Sequence, residues 1–422
     1  MQTRIWMKAV GATAAVMLAL TACGGNGGGG GGDTGGGDAG GEPLKLGYVL
    51  PETGDLAYLG PPQIEAMKLA IKEINDAGGV LGNEIPDPVG GDEANDQAIA
   101  SQSADRVLNA NVNAVIGAAA SGMSLAIIDK ITGAGVAQCS GSNTAPTFTD
   151  YQDDDLYFRT APSDALQGPV LADVITGDGH SKIAIAARAD DYGRGLADAT
   201  AKALENGGAT VAVNEAYDPK TTDFNATVQK IVSSKPDAVA VIAFEEGTQI
   251  LKGLIEAGLT PDKVGLYGAD GLRNTDLATL VDPNNPDVLA GMKGTAPASA
   301  DNPEFTKELK AFAPDLQELQ FAPQVYDCVN VIALAAQATE STDANDFKAE
   351  VVNVTKDGEK CTSFADCKTL LDDGKDIDYD GASGPLDFVA AGEPGKATIE
   401  VYGYNEKGEL TTLDTREAAP AQ

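Results

Sequence analysis

The sequence predicts an α/β protein of two doubly wound, Rossmann-like lobes. Strand-like apolar runs alternate with helix-like segments for most of the length, the pattern of parallel strands joined by crossover helices. The alternation falls into two series that meet near Pro162, and the span from Glu42 to Gln422 exceeds most single domains.

In the first series Leu44 to Leu50 reads as a strand. Pro61 to Ala77 follows as a helix with Ile64, Met67, Ile71 and Ile74 at helical spacing, closed by Gly78-Gly79. An apolar run at Asn113 to Ala119, a helix over Leu125 to Ile131 and a strand at Val136 to Ser140 complete a unit near Thr160. The second series has a helix at Gly168 to Ile175, a strand at Lys182 to Ala187 and a helix at Gly193 to Asn206 ended by Gly207-Gly208. It continues through Thr210 to Asn214, Phe224 to Ser233, Ala238 to Phe244, Thr248 to Ala257 and Val264 to Gly268. Two such sheets on one chain imply a cleft between them. Beyond Gly294 come helices at Pro303 to Phe312, Gln324 to Thr339 and Ala344 to Val354, then an acidic loop at Asp372 to Ser383. Short β segments at Leu386 to Val389 and Thr398 to Tyr404 follow, and no internal sequence repeat is visible.

The N-terminus carries Arg4 and Lys8, an apolar run from Ala9 to Leu20, and Leu20-Thr21-Ala22-Cys23, the layout of an export signal. The run is shorter than the roughly 17 to 25 residues a membrane-crossing helix needs. Leu20-Thr21-Ala22-Cys23 resembles the bacterial lipobox, which implies a diacylglyceryl group on Cys23 and a membrane anchor. From Gly24 to Gly41 the chain is almost only glycine and reads as a flexible tether with a reach of roughly 23 Å.

Composition narrows the function. Lys plus Arg number 29 against 63 acidic residues, a formal net charge of −34, so phosphate backbones are repelled and no nucleic-acid partner is expected. The single histidine, His180, argues against a His-based zinc site or a Ser-His-Asp triad; neither metal nor cofactor is expected. Besides Cys23 there are Cys139, Cys328, Cys361 and Cys367, an even set that suggests disulfides in an exported chain. Cys361 and Cys367 are close enough to staple one loop, which leaves Cys139 with Cys328.

Several segments occur together and in order: Leu46-Gly47-Tyr48-Val49-Leu50-Pro51-Glu52-Thr53-Gly54, Ala70-Ile71-Lys72-Glu73-Ile74-Asn75-Asp76-Ala77-Gly78-Gly79, Val115-Ile116-Gly117, Phe158-Arg159-Thr160-Ala161-Pro162, Asp191-Tyr192-Gly193-Arg194-Gly195 and Tyr267-Gly268-Ala269-Asp270-Gly271. With them the chain resembles the branched-chain amino acid (Leu/Ile/Val) binding protein family, solute-binding proteins of ABC importers, over nearly all of Glu42 to Leu410. The resemblance implies the type I periplasmic binding fold, two lobes joined by a three-crossover hinge. The division expected is 1–22 signal peptide, 23–41 lipidated Cys and tether, 42–161 plus 295–385 lobe 1, 162–294 plus 386–410 lobe 2, and 411–422 tail.

It also implies site residues. Ser121, where a strand meets a helix, matches the serine that holds the ligand's α-carboxylate, and exposed amides at a helix start suit an anion. Ser121 could equally cap its own helix. Ser142 and Thr144 match further head-group partners, though Ser, Asn and Thr are ordinary turn residues. Asp270 matches the acid that meets the ligand's ammonium, where the family more often has Glu; it could also be a helix cap. Tyr192 matches a tyrosine closing from the second lobe and Tyr58 an aromatic of the side-chain pocket. Phe244 and Tyr326 fall near further pocket positions but read as packed core aromatics.

The function implied is capture of an amino acid, branched-chain or otherwise hydrophobic, by hinge closure and delivery to ABC permease subunits, on the outer face of the cell membrane or in the periplasm. The alternatives are a binding protein for urea, short amides or aromatic acids, or a surface sensor. Gly193-Arg194-Gly195 after a strand partly imitates a dinucleotide fingerprint, but Asp198 stands where Gly or Ala is needed, so an NAD-type oxidoreductase is a distant alternative and no enzyme is expected.

Overall fold

A computed structural model describes residues 41–298 and 302–419. The expected signal peptide, Cys23 and nearly all of the tether lie outside the described residues.

From the N-terminal side the chain forms β1 (Leu46–Leu50), α1 (Gly60–Asp76), β2 (Val89–Asp92), α2 (Gln97–Leu108), β3 (Ala114–Gly117), α3 (Ser121–Thr132), β4 (Ala137–Ser140) and β5 (Tyr157–Arg159). Then come α4 (Asp164–Gly177), β6 (Lys182–Arg188), α5 (Asp191–Asn206), β7 (Thr210–Tyr217), α6 (Asn225–Ser234), β8 (Ala238–Ile242), α7 (Gly247–Glu256), β9 (Gly265–Gly268), α8 (Leu277–Val281) and β10 (Lys293–Pro297). The remainder holds α9 (Pro303–Phe312), α10 (Ala322–Ala338), α11 (Ala344–Asn353), β11 (Glu359–Cys361), α12 (Phe364–Asp372), β12 (Ile377–Gly381), β13 (Gly384–Pro385), β14 (Ala397–Tyr404) and β15 (Leu410–Ala418).

The first sheet has the order β2-β1-β3-β4-β5, all parallel. The second runs β15-β14-β10-β9-β8-β6-β7, and its parallel part, read from β7, repeats the order of the first. A duplication invisible in the sequence is thus plain in the topology. β3 and β8 are buried along their whole length, which is why these strands read as continuous apolar runs and not as alternating ones. In each sheet the winding reverses beside the first strand, between β1 and β3 and between β6 and β8, and the crevice beyond the strands' carboxyl ends is where open α/β sheets bind ligands.

Helix α10 is buried on nearly every side and packs along α1 in the first lobe. Cys139 of β4 and Cys328 of α10 are joined by a disulfide across that core, and Cys361 and Cys367 by another.

Three boundaries differ from expectation. The division between 294 and 295 cuts through β10, which continues to Pro297 and pairs with both β9 and β14 in the second sheet. Residues 386–394 belong with the first lobe: Leu386 and Phe388 join its core, and the backbone and guanidinium of Arg159 bond Gly392 and Glu393. Leu386 to Val389 is not a strand; only Phe388 bridges, to Pro394. The expected tail at 411–422 is mostly β15, an exposed edge strand antiparallel to β14 whose polar residues gave no burial signal. Likewise the loop expected at Asp372 to Ser383 contains β12, which buries Ile377 and Tyr379 in a small third sheet.

Candidate ligand-binding site

The lobes meet face to face. Tyr58, in the segment after β1, donates its hydroxyl to the Gly271 carbonyl of the second lobe at 3.1 Å. A Cβ added at Gly195 of α5 would lie 2.6 Å from Pro146 Cδ of the first lobe, so only glycine permits this approach. One apolar cluster runs through the contact, joining Leu56, Leu59 and Phe321 to Tyr192 and Phe244.

Between the lobes is a small cavity lined by Leu56, Leu59, Ser121 and Ser142 on one side and Tyr192, Phe244, Asp270 and Gly271 on the other, with Phe321 at one end. Its free space, about 10 Å³ for the centre of a water-sized sphere, is room for roughly one water. A separate, more open pocket of about 1040 Å³ lies between Asp55 and Met123 on one lobe and Arg188 and Glu246 on the other.

On the first lobe the segment between β3 and α3 is braced from several directions. Gly117 has φ of +107°, and a side chain there would overlap the Val49 carbonyl. The amides of Ala119 and Ala120 donate to the buried Glu93 carboxylate at 2.6 and 3.0 Å. Burial pushes the Glu93 carboxyl up to about 8, against the two amide hydrogen bonds that favour its charge. Ser140 and Asn143 bond the Ala118 and Ala119 carbonyls. Helix α3 is therefore aimed by its surroundings. Its cap position is Ala120, with no side-chain cap bond, so the amides of Ser121 and Gly122 have no intrahelical acceptor. Ser121 does not cap its helix; its Oγ accepts from the Ala145 amide at 3.3 Å.

The second lobe presents the acid. Asp270 follows β9, and its Oδ1 accepts from Tyr192 Oη at 2.8 Å and Gln167 Nε2 at 2.9 Å. Its backbone carbonyl accepts from Gln320 Nε2 at 3.0 Å. Desolvation drives its carboxyl up to about 6, despite those hydrogen bonds. Asp270 is no helix cap: Ala269 precedes the short 3-10 turn it begins.

Asp164, at the first position of α4, went unrecognised in the sequence because an acid after Ser163 is ordinary helix-start chemistry. It is fully buried, and the Thr144 hydroxyl is the side chain that hydrogen-bonds its carboxylate. Burial, and then the charge of Asp270, hold its carboxyl well above the usual carboxylate range. Two amide oxygens on side chains that bond Asp270, Gln167 Oε1 and Gln320 Oε1, have no partner among the described residues. An unsatisfied buried polar group costs about 1–3 kcal/mol, so a set of them marks a site organised for hydrogen-bond donors.

The expected residues are thus distributed as follows. Ser121, Ser142, Tyr192 and Asp270 share the cavity. Thr144 lies behind it, its carbonyl accepting from the Asp164 amide at 2.7 Å, and Tyr58 closes it from the side through Gly271. Phe244, read from sequence as a core aromatic, lines the cavity, stacked on Tyr192 at 5.3 Å between ring centroids. On its other face the Arg188 guanidinium lies 3.4 Å from the ring centroid, held by Glu246 and Asp190. Tyr326 packs against Phe305 in the first lobe and takes no part. Phe321 has φ of +63°, a left-handed conformation costing a non-glycine residue about 1–3 kcal/mol, of the kind that clusters at functional sites.

The family model described as periplasmic binding protein matches residues 43–405. The chain belongs to the periplasmic binding protein family. Among its relatives is the leucine-, isoleucine-, valine-, threonine- and alanine-binding protein of Pseudomonas aeruginosa, 30% identical over 307 residues, covering 71% of this chain and 79% of the relative. Two solved structures share the fold. The branched-chain amino acid transporter substrate-binding protein LivJ of Streptococcus pneumoniae, in complex with isoleucine, superposes with a TM-score of 0.72 at 21% identity, over 89% of this chain and 99% of that one. A solute-binding protein of an ABC transporter from R. palustris, in complex with 4-hydroxybenzoate, gives 0.73 at 19% identity, over 90% and 98%.

Proposed function

We propose that the chain captures an apolar amino acid in the interlobe cleft and presents it to the permease of an ABC importer. The observation that carries this reading is the polarity of the cavity. On one side stand Ser121 and the unpaired first amides of α3; on the other stands Asp270, with the buried carboxyl of Asp164 near enough to feel its charge. A zwitterion supplies a carboxylate to the first and an ammonium to the second, and only with both lobes in contact are both ends held. Leu56, Leu59, Phe244 and Phe321 give the side chain an apolar surround. The cavity in the shut form is far smaller than an amino acid, so the lobes part to admit it, the hinge motion for which periplasmic binding proteins are the standard example.

The relatives' names support amino acids, and the R. palustris neighbour supports aromatic acids as a second reading. The two buried carboxylates favour the first, since a benzoate offers them no cation. A thermal-shift and calorimetry panel of the natural amino acids, urea, short amides and hydroxybenzoates tests this. An apolar amino acid is expected to stabilise by about 2.7 kcal/mol at a hundredfold excess over its Kd. A hydroxybenzoate as the tight binder, or no amino acid binder at all, would overturn the proposal. The lipid anchor at Cys23 belongs to the same reading, and release of a Cys23→Ala chain from membranes is its check.

A further inference from the structure

The segment between α9 and α10 belongs to the first lobe, since Leu316 and Leu319 pack against its core. It nevertheless reaches the second. Gln320 Nε2 donates to the Asp270 carbonyl at 3.0 Å, and Phe321, which follows it, lines the cavity. Two residues before Gln320, Glu318 meets Arg273, the residue that ends the short turn begun by Asp270: Arg273 Nη1 donates to Glu318 Oε1 at 3.2 Å.

The pair is held from both sides. Glu318 Oε1 also accepts from the amides of Leu319 at 2.8 Å and Gln320 at 2.9 Å, so the carboxylate that receives the guanidinium fixes the turn that presents Gln320. Arg273 Nε donates to Glu400 Oε2 of β14 at 2.8 Å, and Glu400 Oε1 accepts in turn from the Thr412 hydroxyl of β15. Glu400 thus keeps the guanidinium in place within the second lobe, whether or not the lobes touch. The bond from Arg273 to Glu318 exists only while they do. The two side chains are 18% and 12% exposed, which shields the pair from the screening that leaves most surface ion pairs worth little.

We propose that Glu318 is a positioning residue of the cleft: acting through Arg273, it clasps the Asp270 turn to the first lobe when the lobes shut, and so sets how long ligand is retained. The clasp rests on the cleft reading above, in which the lobes part to admit the ligand. Parting breaks the Glu318 to Arg273 ion pair and the Gln320 to Asp270 bond, and closure after encounter re-forms them. The clasp therefore acts on dissociation and not on encounter.

Glu318→Gln keeps the size of the side chain and an acceptor oxygen for the Leu319 and Gln320 amides while removing the charge. With the amino acid found by the panel, stopped-flow tyrosine fluorescence on the full chain is expected to show dissociation about fivefold faster and association within about twofold of wild type. Gln320→Met, which removes the second contact, is expected to speed dissociation by a similar factor. The ligand-free unfolding temperature of Glu318→Gln is expected to match wild type, because the pair is not made with the lobes apart, while the rise on adding ligand shrinks. In an Arg273→Gln background, Glu318→Gln is expected to add nothing further. A wild-type chain that binds no amino acid overturns the cleft reading and the clasp together. Binding in the wild type with unchanged dissociation in either variant, a lowered ligand-free unfolding temperature in Glu318→Gln, or an undiminished effect of Glu318→Gln in the Arg273→Gln background overturns the clasp and leaves the cleft reading standing.

Discussion

Tyr192 Oη donates to Asp270 Oδ1 at 2.8 Å and accepts from the Gly271 amide at 3.1 Å, locking the acid and the turn that carries it to a helix 78 residues earlier in the chain. Removing either partner should show in ligand affinity before it shows in stability. Asp270→Ala is expected to weaken amino acid binding by about 3 kcal/mol, on the order of a hundredfold, as for other buried charge partners. Tyr192→Phe is expected to cost about tenfold, since a hydrogen bond to a charged group is worth roughly 1.5 kcal/mol or more. Calorimetry on both variants decides; an unchanged Kd in Asp270→Ala removes the ammonium assignment.

The same acids set a pH dependence. Asp270 and Asp164 have carboxyls raised in the folded protein, so the fold binds protons that the unfolded chain has released. Their contribution to stability is present at low pH and is lost as the pH rises through their folded values, near 6 for Asp270. An ammonium beside them favours ionisation, so binding expels protons. Ligand affinity is expected to rise with pH, by roughly tenfold per unit below 6 for one proton displaced. Calorimetry in two buffers of different ionisation enthalpy measures that proton release, and affinity that is flat between acid and neutral pH would show that these acids do not face the ligand's cation.

Gly195 tests closure itself. Gly195→Leu improves helix propensity in α5 by about 0.5–1 kcal/mol yet places a side chain where Pro146 already stands. The ligand-free variant should unfold near the wild-type temperature, bind at least about tenfold more weakly, and fail to contract on ligand addition in solution scattering. Wild-type affinity with normal contraction would mean that the two lobes do not meet at this point in the bound form.

Arg188 is the support behind the cavity wall. Its guanidinium is buried, paired with Glu246 and Asp190, and covers the Phe244 ring. Arg188→Met leaves the Glu246 carboxylate buried without its cation and is expected to destabilise by about 3–5 kcal/mol in urea unfolding. Adding Glu246→Gln should recover much of that loss. Equal destabilisation in the double variant would mean that the ring contact matters more than the charge pair.

The contrast between the two kinds of residue explains what could be read from the sequence. Strands such as β3 and β8 were legible because burial on both faces leaves an uninterrupted apolar run. β12 was not, because Asp378 and Asp380 alternate with Ile377 and Tyr379 in a short acidic stretch, and β15 was not, because an edge strand carries little apolar pattern. At the site, Ser121 and Asp270 follow strands and were visible through their motifs. Asp164, Gln167 and Gln320 were not: Gln167 reaches Asp270 across 103 residues and Gln320 reaches it across 50, and nothing local marks a polar side chain as buried. Phe244 was misjudged for a related reason, since lining a cavity and packing in a core demand the same ring.

The place of β15 has a further consequence. The second sheet is finished by residues 410–418, laid against β14, and β14 against β10 beside the strand that leads to Asp270. Without β15, β14 becomes the edge of the sheet, two strands from the one that leads to the acid. Deletion of β15 should accordingly act on ligand retention and not on the first sheet.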